Sequence, residues 1–288
     1  MNIKNIILFI LYYPALIIDL IKSFLGIKNN KLRVLLFHFI PQEETKRFQE
    51  NLIWLQKYWK IVDPNTFDKM INGNQEILGN NLFLTFDDGY LSDYYITKDV
   101  LNPMGIKALF FIIPNFIKIK EQKEREDFVF NNIFPKSNES DLSHNKNKLL
   151  NMTDKEINYL IASGQKIGFH TTSHQKLSSI TDDEILIDEI VSGAELLENK
   201  FGISIDHFSF SFGNLESFNK KALKVAETKF KFIFTGMRGN NAKIKNPLAI
   251  CRDSIFTNYS NQLIGSFLFG LADFIYNKKL KVYKSWID

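Results

Sequence analysis

The stretch from Asn81 to Tyr90, reading NLFLTFDDGY, constrains this chain more than any other. Leu82 to Phe86 is an apolar run of strand length that stops at two adjacent carboxylates, Asp87 and Asp88, and then at Gly89. Neighbouring side chains on an extended chain point to opposite sides, so the two acids serve different partners unless the backbone turns between them. Gly89 permits such a turn. Taken alone the stretch is a short buried strand with an acidic loop, and it gains weight only from a second polar cluster downstream.

A chain of 288 residues can bury one large α/β core. With 45% hydrophobic and 24% charged residues, neither a disordered chain nor a polytopic membrane protein fits. The net charge of +4 is mild and the basic residues are scattered, which gives nucleic acid no footprint. A single cysteine, Cys251, excludes an internal disulfide and a cysteine-built metal cage.

Residues 1–28 form an apolar segment, Ile6 to Ile18, interrupted only by Pro14 and followed by Asp19 and Lys22. The run is shorter than the roughly 20 apolar residues that span a bilayer, and it lacks a small-residue cleavage site. Lys22, Lys28, Lys31 and Arg33 follow it, whereas only Lys4 and the amino terminus precede it. By the positive-inside tendency this arrangement predicts a helix in the membrane interface with the domain on the cytoplasmic side; export is the alternative.

Leu32 to Phe37 is the first strand and ends in His38; Phe48, Leu52, Leu55 and Trp59 then recur at helical spacing. Pro64 and Gly73-Asn74 read as turns. After Tyr90 a helix over 91–101 stops before Asn102-Pro103, and Lys107 to Ile113 is the next strand, which completes a strand, helix, strand unit and predicts a parallel sheet. Residues 118–150 are polar and weakly periodic, as in an insertion. Thr153 to Glu156 has capping-box spacing, and Lys166 to Phe169 is a strand that delivers His170 and His174. Thr181 to Glu184 reads as a second box opening the longest helix, which ends near Lys200. Strands follow at 208–212, 231–234 and 248–251, with a helix around 218–228 between the first two. Leu263 to Tyr276 reads as one apolar helix carrying Asp273, and its lysine tail makes 263–284 a second candidate for membrane contact.

Asp87-Asp88, His170 with His174, Gly213 and Arg252 therefore all sit just past the C-terminal ends of predicted strands. In parallel α/β architectures, and in barrels especially, that is where sites are built. Two imidazoles and one carboxylate are a standard set of three protein ligands for a catalytic divalent metal. A His-x-x-x-His pair is weak evidence alone, and a lone His at a strand end, such as His38, is more often packed than catalytic.

The residues resemble those of the polysaccharide deacetylase family, carbohydrate esterase family four, also called the NodB homology domain. Leu84-Thr85-Phe86-Asp87-Asp88-Gly89 is similar to its first motif, and His170 to His174 matches its second, His-(Ser or Thr)-x-x-His. Gly164 to His170 is similar to the family's Gly-His-Glu-Ile-Gly-Ser-His, with Gln165 for the first His. Leu35-Leu36-Phe37-His38 resembles the opening strand of the exopolysaccharide-associated branch. The resemblance covers about residues 31–256 and implies a deformed (β/α)7, TIM-like barrel as a single catalytic domain over 29–288. The third motif departs: in Phe208 to Gly213, Ser211 stands for a proline and Phe210 for a tyrosine, and Asp206-His207 lacks the arginine that precedes it in many members. The C-terminal Leu-x-His of the family is not evident either.

The resemblance implies that Asp88, His170 and His174 hold a divalent metal, zinc by expectation, and that Asp87 is the general base. It places Phe212, Gly213 and Tyr90 on the substrate and oxyanion side. His38 is the expected general acid, with His207 in reserve, and Arg252 the substitute for the missing arginine that keeps Asp87 ionised. The implied activity is metal-dependent N-deacetylation of an amino sugar in a surface polysaccharide or its lipid-linked precursor. The alternatives are a non-catalytic carbohydrate-binding relative and an O-acetyl esterase acting on glycans.

Overall fold

Lys31–Phe37 (β1) lies parallel to Asn80–Phe86 (β3) over seven residue pairs, and this contact is the axis of the molecule. The computed structural model describes residues 3–27, 30–135, 149–244 and 246–287. Lys28 of the charge comparison and residues 136–148 of the expected insertion lie outside them, as does the side chain of Lys4. Outward from β3 come Leu109–Ile112 (β4), Lys166–Phe169 (β5), His207–Ser209 (β6) and Phe232–Phe234 (β7), all parallel. Asp253–Ser254 (β8) pairs with β1 on the other side, and the two-residue Lys60–Ile61 (β2) pairs beside β3.

The expected last strand at 248–251 takes a different form. Ile250 bridges to Phe234 of β7, and three residues later β8 pairs with β1. One short segment thus changes partner between the two ends of the sheet, so it cannot keep a single ladder, and by doing so it closes the curl. The result is the deformed (β/α) barrel of seven principal strands. Alternation along the strands sorts side chains into two cores. Leu35, Leu84 and Phe110 face the surrounding helices, while Val34, Phe83, Phe111 and Phe234 point inward and meet Phe67.

Pro64 opens a helix, Pro64–Ile71, at its first position, with Asp63 as the N-cap. The capping box at Thr153 and Glu156 is formed. The next helix is capped by Asp182, not Thr181, because the Asp182 carboxylate accepts from the amides of Glu184 and Ile185. It extends to Phe201, where Gly202 takes the left-handed conformation; the longest helix is instead Ile3–Phe24. The expected 263–276 helix is broken. Asn261–Leu268 stops near Gly270 (φ 82°), a short turn of 3-10 helix covers Asp273–Tyr276, and the lysine-rich tail is itself the helix Asn277–Ile287. The break lets Asp273 turn inward, where it shares the buried Arg33 with Asp253. An uncompensated guanidinium at that depth would be costly, so the ion cluster sets the path of the chain.

Helix Ile3–Phe24 docks along one edge against Asn261–Leu268. Tyr12 is buried where a Cβ on Gly265 would overlap its ring, and the Ser266 hydroxyl donates to the Leu8 carbonyl. Its far end is held by an ion pair between Asp19 and Lys31. By length and composition the helix is apolar enough to cross a membrane, and most of its large side chains are exposed.

Candidate active site

The strand ends converge as the motif positions predict. Phe37 pairs with Phe86, so His38 and Asp87 leave adjacent strands side by side, and the Asp87 amide donates to the Phe37 carbonyl at 2.9 Å. Phe169 pairs with Phe208, which brings His170 beside the end of β6. Among the described residues, four non-glycine positions have positive φ: Asp88 (81°), Thr171 (61°), His174 (59°) and Phe212 (59°). All four belong to this site. Such backbone strain persists only where the surroundings over-determine it, and at Asp88 it supplies the turn that separates the two acids.

Asp88, His170 and His174 offer three ligand atoms within 4.8 Å of one another. The Nδ1 of His170 lies 2.8 Å from the Ser209 carbonyl and that of His174 lies 2.7 Å from the Asn132 carbonyl. A carbonyl only accepts, so both Nδ1 atoms carry the proton and both Nε2 lone pairs are free. Those Nε2 atoms stand 3.5 and 3.8 Å from Oδ1 of Asp88. Both carboxylate oxygens of Asp88 are buried without a hydrogen-bond partner among the described residues. Burial first, and then the Asp87 carboxylate, push the Asp88 pKa well above the usual range. Burial also lowers the imidazoles, His174 to about 3. Two neutral imidazoles aimed at an orphaned carboxylate are a donor set that suits a divalent cation.

Asp87 faces another partner. Arg252 grips it with both ends of the guanidinium, Nη1 to Oδ1 at 2.7 Å and Nη2 to Oδ2 at 2.9 Å, while Nη2 also donates to the Ser209 hydroxyl at 2.6 Å. Burial alone would raise the Asp87 pKa; the guanidinium, followed by the neighbouring imidazoles, holds it below the ordinary carboxylate value. The contact expected of Arg252, a guanidinium set against Asp87, is thus present in the geometry.

His38, Phe212 and Gly213 line a cavity of about 310 Å³ together with Asp87, Asp88 and Arg252. Burial lowers the His38 pKa to about 4, so its imidazole is neutral at pH 7. A Cβ at Gly213 would stand 2.5 Å from the Gly236 amide, so only glycine fits this turn. Two expectations are corrected. Tyr90 is fully buried against Phe39 and Phe116 and does not line the cavity, because its ring serves the small core that it forms with Val129, Ile133 and Leu149. His207 begins β6 instead of ending it; its Nε2 lies 2.8 Å from Asp68 and its ring stacks on Phe232, at the barrel end away from the site.

Motif reading missed the groups that support the ligands. Ser209 serves both sides, its carbonyl taking the His170 proton and its hydroxyl the Arg252 proton. Ser211, where the family has proline, lies 3.0 Å from the Thr171 hydroxyl, which accepts the His174 amide. Asn132 comes from the segment expected to be an insertion, whose helix Gln122–Phe128 and following turn Val129–Ile133 pack on the barrel through Phe128, Val129 and Ile133. Buried Glu189 accepts from the Ser173 amide at 3.0 Å and also binds the Ser173 hydroxyl, which fixes the loop between the two histidines. Only the polarity of 170–174, unusual after a buried strand, hinted at such partners.

Glu189→Ala is expected to weaken divalent-metal affinity 10- to 100-fold, the usual effect of losing an outer-shell support. Titration against a chelating indicator reads this, and Glu189→Gln should recover part of the loss. Equal affinity in wild type and the Ala variant would remove Glu189 from the ligand scaffold.

Comparisons with known proteins agree with the geometry. The family profile described as polysaccharide deacetylase matches residues 66–230. YxkH of Bacillus subtilis (strain 168), whose own assignment as a polysaccharide deacetylase is provisional, is 22% identical over 248 residues, covering 84% of this chain and 77% of YxkH. Among solved structures, the Streptococcus pyogenes deacetylase PplD in complex with acetate superposes with a TM-score of 0.63 at 16% identity, covering 83% of this chain and 98% of PplD. IcaB from Ammonifex degensii superposes with a TM-score of 0.65 at 19% identity, covering 84% of this chain and 98% of IcaB. At these identities the structural likeness is one of fold.

Proposed function

This chain belongs to the polysaccharide deacetylase family, and from that premise we propose that it is a metal-dependent hydrolase that removes N-acetyl groups from an amino sugar of a surface polysaccharide or its lipid-linked precursor. The observation that carries the reading is Asp88, buried with both oxygens unpartnered among the described residues and faced by two imidazoles whose Nδ1 atoms are held by backbone carbonyls. Acetate bound to the structurally similar PplD fits an acetyl-releasing site.

Asp88, His170 and His174 would hold the ion, zinc by the chemistry of the donor set. Once bound, a divalent ion supplies Lewis acidity to an acetyl carbonyl and to a water. Asp87, ionised by Arg252 and turned away from the ligand set, takes the proton of the attacking water. The backbone amide of Phe212, in the strained turn at the end of β6, is the donor for the developing oxyanion. An amine leaves only when protonated. His38, neutral at pH 7 and next to Asp87 in the cavity, passes on a proton received within the cavity.

One observation favours a second reading. With His38 neutral, the site lacks a ready acid, and an O-acetyl ester demands less of one because an alkoxide leaves more easily than an amide anion. The bidentate Asp87–Arg252 pair argues against a non-catalytic carbohydrate binder, since a binder has no need of an ionised base. Acetate release from N-acetyl and O-acetyl glycans by metal-loaded protein, with Asp87→Asn as control, separates these readings. Release from N-acetyl substrates is expected; release from O-acetyl substrates alone would replace the proposal with the esterase.

We also infer that the Ile3–Phe24 helix lies in the plane of a membrane interface, on the cytoplasmic side. A spanning helix would have to give up the contacts of Tyr12 and Leu8 with the barrel, whereas an in-plane helix keeps them and buries the exposed Ile7, Ile10 and Ile17. Co-sedimentation with anionic vesicles, lost on deletion of residues 1–27, tests this; equal sedimentation of both forms overturns it.

A further inference from the structure

In the sheet, β4 stands between β3, which ends at Asp87-Asp88, and β5, which ends at the loop from His170 to His174. The chain that leaves β4 is bonded to both neighbours. On the β5 side, the Asn115 amide donates to the Thr172 carbonyl at 3.1 Å. Asn132 takes the His174 proton on its carbonyl at 2.7 Å and donates its side-chain amide to the Ser173 carbonyl at 2.9 Å. On the β3 side the same connection returns. The Leu91 amide donates to the Leu150 carbonyl at 2.6 Å, and the Met152 amide donates to the carbonyl of Gly89, the residue after Asp88, at 2.9 Å. Asn151 ties the two halves together, accepting from Arg125 at 2.6 Å and donating to the Ile119 carbonyl at 3.2 Å. Residues 113–135 and 149–152 thus clasp the loops that carry all three metal ligands.

The clasp has an apolar foot. Phe128 stacks on Phe116 with ring centroids 5.5 Å apart, and Val129 and Ile133 are buried with Tyr90, Ile113 and Leu149. Docked in this way, the segment places Ile133 and Phe134 in the wall of the cavity that also contains Asp88. Both oxygens of Asp88 are buried there without a hydrogen-bond partner among the described residues, and such burial costs free energy unless a partner arrives. Docking therefore bears that cost when no cation is bound and escapes it when one is. The imidazole adds a contribution of the same sign. With Nε2 on a cation, His174 is a stronger donor from Nδ1 to the Asn132 carbonyl.

We propose that docking of residues 113–135 and uptake of the divalent ion are one coupled equilibrium: the docked segment sets His174 for the ion, and the bound ion holds the segment down on the cavity. Asn132 is then a positioning residue for a metal ligand, and Phe128 acts through it from outside the cavity lining. This rests on the metal-binding part of the deacetylase reading and is independent of the acetyl substrate. Such coupling is reciprocal, so whatever factor docking adds to metal affinity, the metal adds to docking.

The test uses the full-length protein with zinc and with zinc chelated, and its first arm needs no variant. Hydrogen exchange read by mass spectrometry is expected to be about 5-fold or more slower with zinc over residues 122–135, the lower end of usual coupling factors, and unchanged over Asn261–Leu268. In the second arm, titration against a chelating indicator is expected to show zinc affinity weakened about 5-fold or more by Phe128→Ala. Phe128→Tyr, which keeps the stacked ring, should bind as wild type does. So should Ile77→Ala, which opens the inner core just before β3, at the barrel end away from the ligands. Equal exchange over 122–135 in both states overturns the proposal, and so does wild-type zinc affinity in Phe128→Ala. A wild type that takes up no zinc removes the metal reading and the coupling together. Coupled zinc uptake without acetate release from any glycan removes the deacetylase reading and supports the coupling.

Discussion

Arg252→Ala is expected to lower kcat/KM for acetate release by roughly 10²–10⁴-fold, the usual contribution of a positioned general base. In the native protein the guanidinium opposes the effect of burial on Asp87 and fixes both of its oxygens. Without it, burial is opposed only by the neighbouring imidazoles, so Asp87 protonates at higher pH and the acid limb of the pH–rate profile moves up. Arg252→Lys keeps the charge but loses the fork, and should fall between the two. An acid limb that stays put in Arg252→Ala would sink the assignment.

The same substitution carries a stability effect. Removing one partner of a buried ion pair costs about 3–5 kcal/mol, because the other charge stays behind. The pair is fully buried, so solvent screening does not soften this estimate. Since the folded-state pKa of Asp87 is depressed, its contribution is present above the unfolded carboxylate value of about 3.9 and is lost as pH falls through the lower folded value. Wild type should therefore lose this contribution only below about pH 4. Denaturant melts of both proteins across the acid range measure it.

Asp88→Asn is expected to act in opposite directions with and without metal. Acetate release and divalent-ion binding should both disappear. Metal-free Asp88→Asn should nevertheless be more stable than metal-free wild type at neutral pH, by about 1–3 kcal/mol, because the neutral amide removes the charge that burial and the Asp87 carboxylate disfavour. The folded pKa of Asp88 is raised, so its favourable contribution is complete below about pH 3.9 and is lost as pH rises through the folded value. Buried Asp93 shifts in the same direction, by burial first and then by Asp88 and Asp87, so Asp93→Asn is the control that isolates the ligand. Metal at 100 times its dissociation constant should then stabilise wild type by about 2.7 kcal/mol and leave the Asn variant unmoved. An Asn variant that still takes up the ion, or a wild-type melting temperature indifferent to chelation, would remove Asp88 from the ligand set.

The insertion and the C-terminal region show where sequence reading stopped short. Residues 118–135 look like weakly periodic polar chain, yet they supply the Asn132 carbonyl to His174, a contact across 42 positions. The 263–276 stretch is apolar enough for one helix, and it breaks because Asp273 is drawn to Arg33, 240 positions away. Tyr90 stands two residues after the acidic pair, but the turn at Asp88 and Gly89 sends its ring into a core and away from the cavity.

The sequence by itself determined which side chains arrive at the mouth of the barrel. Asp87, Asp88, His170 and His174 each follow an apolar run, and a period-two strand pattern with its stop signal is a short-range property that neighbouring residues encode. Tertiary structure alone decided what each of them does. Arg252 meets Asp87 across 165 positions only because the 249–254 segment closes the curl. Asp88 is buried without a hydrogen-bond partner among the described residues only because strand ends distant in the chain, together with Ile133 and Phe134, close around it. Burial and register depend on contacts distant in the chain, and they set the ionisation states and tautomers from which this site's chemistry follows.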